Sequence, residues 1–145
     1  MRAAVSVDGE RVAAIDAGLL VLLGVAAGDG AGDAAFIARK LARLRIFADG
    51  RGLMNLSVAD IGGAVLLVSQ FTLLADTRRG NRPSFTAAAA PETAERLYKE
   101  VAQHLRRGGL PVDTGMFGGS MQVELVNDGP VTILLNSRTE DPAVR

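Results

Sequence analysis

The stretch AVLLVSQFTLLADTRRGNRPSF runs from Ala64 to Phe85 and is the part of the chain on which the predicted structure is built. It joins a predicted buried strand to a polar strand end and a basic loop. Its first part, Ala64 to Val68, is an unbroken apolar run. So short a run favours a strand buried on both faces, since a helix needs about ten residues or more. The chain then turns polar at Ser69, Gln70 and Thr72. We therefore predict a rigid strand that presents polar groups at its end.

The loop that follows, from Asp76 to Arg82, holds three arginines and is closed by Pro83. Functional groups concentrate on loops that a rigid scaffold holds in place. Strand end and loop together indicate a site that acts on an anionic ligand. The alternative is that Ser69 and Thr72 only end the strand and that the arginines face solvent.

Composition limits the chemistry that the chain can perform. Its 145 residues, 48% apolar and 22% charged, are typical of one globular domain. Without cysteine there is no disulfide, no thiolate nucleophile and no cysteine-ligated zinc. The one histidine, His104, is explained more simply as a partly exposed residue near a helix C-terminus than as a catalytic base. We expect neither a metal nor a cofactor.

The formal net charge is zero, so any nucleic-acid surface must be local. Basic side chains cluster at Arg39, Lys40, Arg43 and Arg45, at Arg78, Arg79 and Arg82, and at Arg106 and Arg107. Each cluster could equally be a solvated face that the acidic residues balance. The apolar run from Gly18 to Ala27 is too short to span a bilayer, which takes about 20 residues. A soluble cytoplasmic protein without a membrane partner is expected.

Hairpin and helix signals predict about six or seven strands and two helices. The predicted strands are Ala3–Val7, Arg11–Ile15, Gly18–Ala27, Leu53–Ser57, Ala64–Val68, Met121–Val126 and Val131–Leu135. One helix is capped by Asp33 and runs to about Arg45, and the other begins at Pro91 and stops at Gly108. We expect an α+β fold of mostly antiparallel sheets in a barrel-like arrangement with two flanking helices. Residues 1–136 would form the single domain, and residues 137–145 a frayed polar tail.

Three segments resemble the D-aminoacyl-tRNA deacylase family, formerly called D-tyrosyl-tRNA deacylase. They are SQFT at Ser69–Thr72, RRGNRPSF at Arg78–Phe85 and MQVELVNDGPVT at Met121–Thr132. Gly18–Val25 and Lys40–Phe47 are similar to that family as well, so the resemblance covers nearly all of residues 9–136. Any one of these motifs alone is weak evidence for the family, but their order and spacing together are specific to it.

The resemblance implies a homodimer that cuts the ester between a D-amino acid, or glycine mischarged on tRNA-Ala, and the terminal ribose of tRNA. It implies that the Gly-Pro turn, with a cis bond, enters the partner's pocket. The implied site residues are Ser69, Gln70, Phe71 and Thr72 for catalysis, Gly129 and Pro130 for the chiral gate, Met121 and Asn127 in the substrate pocket, and Arg78, Arg79 and Arg82 for tRNA.

The chemistry suits these residues. The carbonyls of Gly129 and Pro130 would accept hydrogen bonds from the substrate's ammonium, which can only donate. A rigid turn there excludes an L side chain by contact but cannot reject glycine. Backbone N–H groups around Phe71 and Thr72 would stabilise the oxyanion. Two routes stay open: Thr72 Oγ acts as the nucleophile, which requires a base, or the ribose 2′-hydroxyl activates water.

The chain departs from the family at its start. Family members begin with a longer first strand, MRAVVQRVxxAxVxVxG, whereas this chain begins MRAAVSVDG. In the family, the part that differs carries an arginine that supports the Gly-Pro turn. The alternative from another class is therefore a non-catalytic module that binds the tRNA end. A third reading is a small-molecule esterase on the same fold.

Overall fold

The computed structural model describes residues 2–140. Its strands are β1 (Arg2–Val7), β2 (Glu10–Ile15), β3 (Gly18–Leu23), β4 (Phe47–Ala48), β5 (Met54–Leu56), β6 (Ala64–Ser69), β7 (Val112–Thr114) and β8 (Gln122–Val126). Its helices are α1 (Ala31–Arg43), α2 (Pro91–Arg107) and the short α3 (Ser137–Glu140), and a 3₁₀ turn spans Phe71–Leu74. Two flanking helices were predicted, and α1 and α2 are those helices.

Strand β6 is the centre of a parallel sheet in the order β3-β6-β7. The apolar residues Val65–Val68 are at most 1% exposed. Burial on both faces explains why this strand has no alternating polar residues. The predicted strand is thus confirmed, and its register with β3 places Ser69 opposite Leu23 at the C-terminal edge of the sheet.

The second sheet is antiparallel, in the order β2-β1-β8. The β1–β2 turn has Asp8 and Gly9 at positive φ, as the Asp-Gly hairpin signal predicts. With β4–β5 also antiparallel, three of the five strand pairings run that way. The mostly antiparallel α+β prediction is therefore confirmed, while the parallel sheet around β6 was not predicted. The barrel-like arrangement stays a prediction.

Alternate side chains of β6 enter two different cores. Val65 and Leu67 pack into the larger core, where α1 contributes Ala34, Ala38 and Leu41 and α2 contributes Leu97, Tyr98 and Val101. Leu66 and Val68 face the other way, against Ala3, Val5 and Ala13 of the antiparallel sheet. Side chains of a strand point alternately to opposite faces. Strand β6 is consequently the middle layer between the helices and the second sheet.

Several predicted boundaries shift. The strand from Gly18 ends at Leu23 rather than Ala27, because Ala26 and Asp29 form a turn in which the Ala26 N–H donates to Asp29 Oδ2 over 2.7 Å. Helix α1 begins after Gly30, so Asp33 lies in its first turn rather than at the cap. From there its carboxylate accepts the Gly30 N–H at 2.8 Å.

Two predictions for the C-terminal part were wrong. Val131–Leu135 pairs with no strand among residues 2–140, and Leu134 is 86% exposed. An apolar run becomes a strand only where a neighbouring edge accepts its hydrogen bonds. Ser137–Glu140 is not frayed but helical, whereas residues 141–145 of the predicted tail lie outside the described part. Within residues 2–140 no helix is long and apolar enough to cross a membrane.

Candidate active site at the end of the central strand

The polar end of β6 is held firmly to its neighbour. Ser69 still pairs with Leu23 in the parallel register. The Gln70 N–H then donates to the Leu23 carbonyl over 2.8 Å. Beyond Gln70 the chain leaves the sheet, so the predicted catalytic stretch begins where the rigid strand stops.

The next residues form the 3₁₀ turn. The Leu73 N–H donates to the Gln70 carbonyl at 3.2 Å, and the Ala75 N–H donates to the Thr72 carbonyl at 3.1 Å. Phe71 and Thr72 provide the first N–H groups of the turn, and such groups have no acceptor within their own helix. Two adjacent backbone donors therefore stand at the strand end, the arrangement that an oxyanion requires.

The Thr72 hydroxyl is tied to the amide that precedes it. Gln70 Nε2 donates a hydrogen bond to Thr72 Oγ1. That bond engages an oxygen lone pair, and an amide group cannot take a proton from the hydroxyl. The contact therefore orients Thr72 without activating it as a nucleophile.

Gly24 lets the 3₁₀ turn lie close against the end of β3. A Cβ atom at this position would be 2.5 Å from Leu74 Cδ2, 3.2 Å from the Gln70 carbonyl oxygen and 3.2 Å from Leu73 Cβ. A side chain here would require the Leu74 side chain to rotate away and the turn to shift by a few tenths of an ångström. Sequence reasoning missed this role, and its signal is a glycine inside the apolar run predicted as the strand Gly18–Ala27.

The arginine loop is fastened beside the turn. Asp76 and Ser84 exchange two backbone hydrogen bonds, of 2.7 and 2.9 Å, which close the loop at its base. The rings of Phe71 and Phe85 meet edge to face, with centroids 5.1 Å apart. The structure thus brings the predicted catalytic stretch and the predicted tRNA-binding loop together.

The three arginines of this loop have different surroundings. Arg78 forms an ion pair with Asp76, with the contact atoms 2.7 Å apart. Hydrogen bonds from Arg78 lower the pKa of the Asp76 carboxyl to about 2. Arg79 and Arg82 are exposed. The charge of Arg78 is partly neutralised within the loop, which leaves Arg79 and Arg82 as its stronger anion-binding groups.

The Gly129–Pro130 peptide bond is cis, as the family resemblance implied. Asn127 spans this turn. Its Oδ1 accepts the Val131 N–H at 2.9 Å, and its Nδ2 donates to Thr132 Oγ1 at 3.2 Å. Gly129 and Pro130 are exposed. The structure gives Asn127 the task of holding the turn, while its place in the substrate pocket stays a prediction.

Met121 lies on the far side of β6 from the helices. It packs against the small core that contains Val5 and Val68. A Cβ atom on Gly115 would come within 2.7 Å of Met121 Sδ, so Gly115 makes room for this side chain. Met121 therefore supports the strand just before Ser69.

His104 is remote from this site. It lies in the last turn of α2, whose end leads to Pro111, and the Pro111 carbonyl accepts the N–H of Val65 at the start of β6. Ser69 is at the other end of that strand. His104 therefore lies at the opposite edge of the sheet and cannot act on Thr72. In the described part of the chain, no group of three histidine, cysteine or acidic residues could hold a metal ion.

Phe71 and Thr72 are exposed at the strand end. One depression of about 380 Å³ is lined by the antiparallel sheet, and another of about 370 Å³ by the end of α1. Neither is lined by Ser69, Gln70, Phe71 or Thr72. The predicted catalytic stretch therefore lies outside both depressions.

Comparison with known proteins decides the family. A family model described as D-Tyr-tRNA(Tyr) deacylase matches residues 1–136. The chain belongs to this family. The matched residues include the strand end, the arginine loop and the Gly-Pro turn.

Relatives of this deacylase family are similar along nearly the whole chain. A D-aminoacyl-tRNA deacylase of Anaeromyxobacter dehalogenans is 64% identical over 137 residues, which are 94% of this chain and 92% of the relative. One from Syntrophotalea carbinolica is 60% identical, over 94% of this chain and 91% of the relative. A solved structure titled c-Myc DNA Unwinding Element Binding Protein has a TM-score of 0.88 at 41% identity, covering 94% of this chain and 93% of that one.

A more distant structure shares the fold alone. A probable eukaryotic D-amino acid tRNA deacylase has a TM-score of 0.67 at 15% identity, over 85% of this chain and 87% of the other. The deacylase fold therefore persists where most side chains differ. This agrees with a fold set by the pattern of buried positions rather than by particular residues.

Proposed function

We propose that this protein hydrolyses the ester that joins a D-amino acid to the terminal ribose of tRNA. Family membership and relatives named D-aminoacyl-tRNA deacylase support the reaction class. The observation that carries the proposal is the pair of N–H groups at Phe71 and Thr72, at the end of a rigid strand and beside an arginine loop.

In the proposed reaction, water attacks the ester carbonyl, and the products are the free D-amino acid and tRNA. The N–H groups of Phe71 and Thr72 stabilise the negative charge that develops on the carbonyl oxygen. Thr72 Oγ1 already accepts a hydrogen bond from Gln70. Within residues 2–140 the one histidine, His104, lies at the opposite edge of the sheet. The route in which the ribose 2′-hydroxyl activates the water is therefore favoured over nucleophilic attack by Thr72.

The arginine loop holds the acceptor end of the tRNA in this proposal. Arg79 and Arg82 are exposed on a loop whose base is closed by backbone hydrogen bonds. Contacts to phosphates position a nucleic acid without reading its sequence. That property suits an enzyme that must accept tRNAs with different amino acids.

The working unit is proposed to be a homodimer in which the Gly129–Pro130 turn of one protomer closes the site of its partner. The turn is exposed, and so are Phe71 and Thr72 at the strand end. Large apolar side chains are also exposed, at Phe71, Leu73, Met116, Leu125, Val126, Ile133 and Leu134. So much exposed apolar surface is typical of a face that a partner covers.

The same turn would act as the chiral gate. Its carbonyls would bind the substrate ammonium, and its backbone would collide with an L side chain. Glycine carries no side chain, so glycyl-tRNA mischarged on tRNA-Ala would also be cleaved. Met121 and Asn127 would serve the substrate pocket from behind β6 and from within the turn.

The decisive experiment compares matched D- and L-tyrosyl-tRNA with purified protein in the presence of a chelator. We expect cleavage of the D form alone. Binding of tRNA without cleavage would instead support the tRNA-end-binding module. Turnover of D-tyrosine ethyl ester that is indifferent to loss of Arg79 would support a small-molecule esterase.

The proposed dimer has its own measurement. Sedimentation equilibrium should give twice the chain mass of 15.1 kDa. A mass of 15.1 kDa for active protein would contradict the dimer.

A further inference from the structure

The end of the described chain is clamped to the loop before α1. The Arg138 guanidinium donates to Asp29 Oδ1 through Nε at 3.2 Å and through Nη2 at 3.0 Å. Nη2 also donates to the Ala27 carbonyl at 2.6 Å. The Asp29 side chain is only 14% exposed. The contact therefore joins a charged side chain to a largely enclosed carboxylate rather than to a solvated one.

The neighbouring residue adds a second anchor. Ser137, 8% exposed, donates from Oγ to Asp33 Oδ1 over 2.7 Å. The other oxygen of Asp33 accepts the Gly30 N–H at the start of α1. Hydrogen bonds from Gly30 and Ser137 lower the pKa of Asp33, so this carboxylate is charged at neutral pH. Residues 137 and 138 are thus fixed to the first turn of α1 and to the loop before it.

That loop is itself fixed to the segment after the arginine loop. The Ala27 N–H donates to the Ala87 carbonyl, and the Ala89 N–H donates to the Val25 carbonyl, each at 2.9 Å. Asp29 Oδ2 accepts the Ala26 N–H. Asp29 therefore accepts a hydrogen bond from its own loop with Oδ2 and hydrogen bonds from Arg138 with Oδ1. The carboxylate that binds Arg138 is thus itself held in place.

Between the clamp and the Gly-Pro turn lies a segment that belongs to no sheet. Residues 131–136 have neither helical nor strand structure. At one end, Asn127 holds Val131 and Thr132. At the other end, Arg138 and Ser137 hold the chain to the body of the protein. Leu135, next to that end, also packs against the larger core. Residues 131–134 therefore lie between the turn held by Asn127 and an end that the core, Ser137 and Arg138 hold together.

We propose that Arg138 is a positioning residue for the chiral gate, since its bonds to Asp29 and Ala27 fix the far end of the segment that carries Gly129–Pro130. This inference rests on the proposed function, in which that turn is the gate. A turn that must exclude an L side chain by contact needs a defined position. Loss of the Arg138 bonds to Asp29 and Ala27 would let the turn move away from the substrate. The ratio of D to L cleavage would then fall more than the rate of D cleavage does.

The test is the ratio of D- to L-tyrosyl-tRNA cleavage in Arg138→Gln. We expect the ratio to fall by about tenfold to a hundredfold, because a shift of about 1 Å in a positioned group has effects of that size. Arg138→Lys keeps the charge but not the paired donors and should recover part of the ratio. Arg96→Gln, which removes the exposed Arg96–Glu100 pair on α2, is the matched control and should keep the wild-type ratio.

A second measurement does not depend on activity. Thermolysin cuts before large apolar residues, so cleavage within residues 131–135 should be about tenfold faster in Arg138→Gln than in Arg96→Gln, as expected when an opened state is more populated. Unchanged cleavage there would overturn the inference. So would an equal loss of D and L cleavage, which would indicate a general structural role.

Failure of this inference can be told apart from failure of the proposed function. If wild-type protein is D-selective, Pro130→Ala loses selectivity and Arg138→Gln keeps it, then only the positioning role is wrong. If the wild-type protein cleaves neither substrate, or if Pro130→Ala keeps full selectivity, the assignment of the gate is wrong and the role of Arg138 falls with it.

Discussion

Arg78 donates two hydrogen bonds to the Asp76 carboxylate, from Nε to Oδ1 at 2.9 Å and from Nη2 to Oδ2 at 2.7 Å. The backbone of the same Asp76 closes the loop on Ser84. One aspartate therefore fixes both the base of the arginine loop and the direction of its first arginine. Arg78 therefore organises the loop, whereas Arg79 and Arg82 are exposed on it.

The first prediction is the titration of Asp76. Hydrogen bonds from the Arg78 side chain lower its pKa from 3.8 to about 2. Because the folded-state pKa is lowered, the contribution of this pair to stability is complete above pH 3.8 and is lost as the pH falls through about 2. An NMR titration of the Asp76 carboxyl carbon should give that midpoint, and Arg78→Gln should raise it. A wild-type midpoint at the ordinary value would contradict the bidentate pair.

The second prediction concerns Arg79. Arg79→Ala should raise KM for D-aminoacyl-tRNA several-fold and leave kcat nearly unchanged, because a phosphate contact acts on ground state and transition state alike. The slope of log affinity against log salt should fall by about 0.7 for each lost contact to a single strand. Arg96→Ala on α2 is the control and should change neither quantity. A loss confined to kcat would place Arg79 in the chemistry instead.

The third prediction tests the packing of the 3₁₀ turn against β3. Gly24→Ala would place a Cβ atom 2.5 Å from Leu74 Cδ2 and 3.2 Å from Leu73 Cβ, so the Leu74 side chain must rotate away and the turn must shift by a few tenths of an ångström. We expect kcat to fall by up to about tenfold, since the Phe71 and Thr72 N–H groups shift with the turn. Gly32→Ala is the matched control, because nothing lies within 4 Å of a Cβ atom there. Equal activity of both variants would show that the turn does not position the oxyanion donors.

The fourth prediction concerns the gate itself. Pro130→Ala removes the rigid ring from the turn and should allow cleavage of L-tyrosyl-tRNA, so that the D-to-L ratio falls. Initial rates on the two matched substrates measure this directly. Pro91→Ala makes the same change at an exposed position at the start of α2; it serves as the control and should keep the preference. An unchanged ratio in Pro130→Ala would remove the turn from chiral selection.

The fifth prediction concerns support for the central strand. The Tyr98 hydroxyl donates to the Leu67 carbonyl at 2.8 Å, and Tyr98 is 4% exposed. That carbonyl also accepts the Gly115 N–H, so Tyr98→Phe does not leave it unpaired. The free energy of unfolding, from urea denaturation, should fall by about 0.5–1.5 kcal/mol. Leu67→Ala, which creates a cavity, should cost about 2–5 kcal/mol and provides the comparison.

Several features could be predicted from local sequence because their causes are local. The unbroken apolar run at Val65–Val68 indicates burial on both faces. Asp8-Gly9 indicates a hairpin because these two residues can adopt the positive φ angles that the turn requires. The helices follow from spacing of 3.6 residues. The family motifs led to the strand end, the arginine loop and the Gly-Pro turn, and the structure places the first two side by side.

Other features depend on partners that are distant in sequence. The run Val131–Leu135 resembles a strand, yet no edge in the described chain accepts it. The parallel pairing of β6 with β3 and β7 could not be read from the pattern of apolar residues, because the relative direction of the strands is set by the helices that connect them. The tail from Ser137 looks like a polar terminus until its contacts with Asp33 and Asp29 are known.

The buried segments, the positions of the turns and the polar groups after the central strand could be read from the sequence. Hydrophobic periodicity and the φ and ψ angles that each residue can adopt depend on only a few neighbouring residues. The folded structure was needed to show that Tyr98 donates to the Leu67 carbonyl, that the 3₁₀ turn packs against Gly24 and that Arg138 binds Asp29. Those contacts join groups on separate elements. Their distances exist only after the two sheets and the helices have packed on β6.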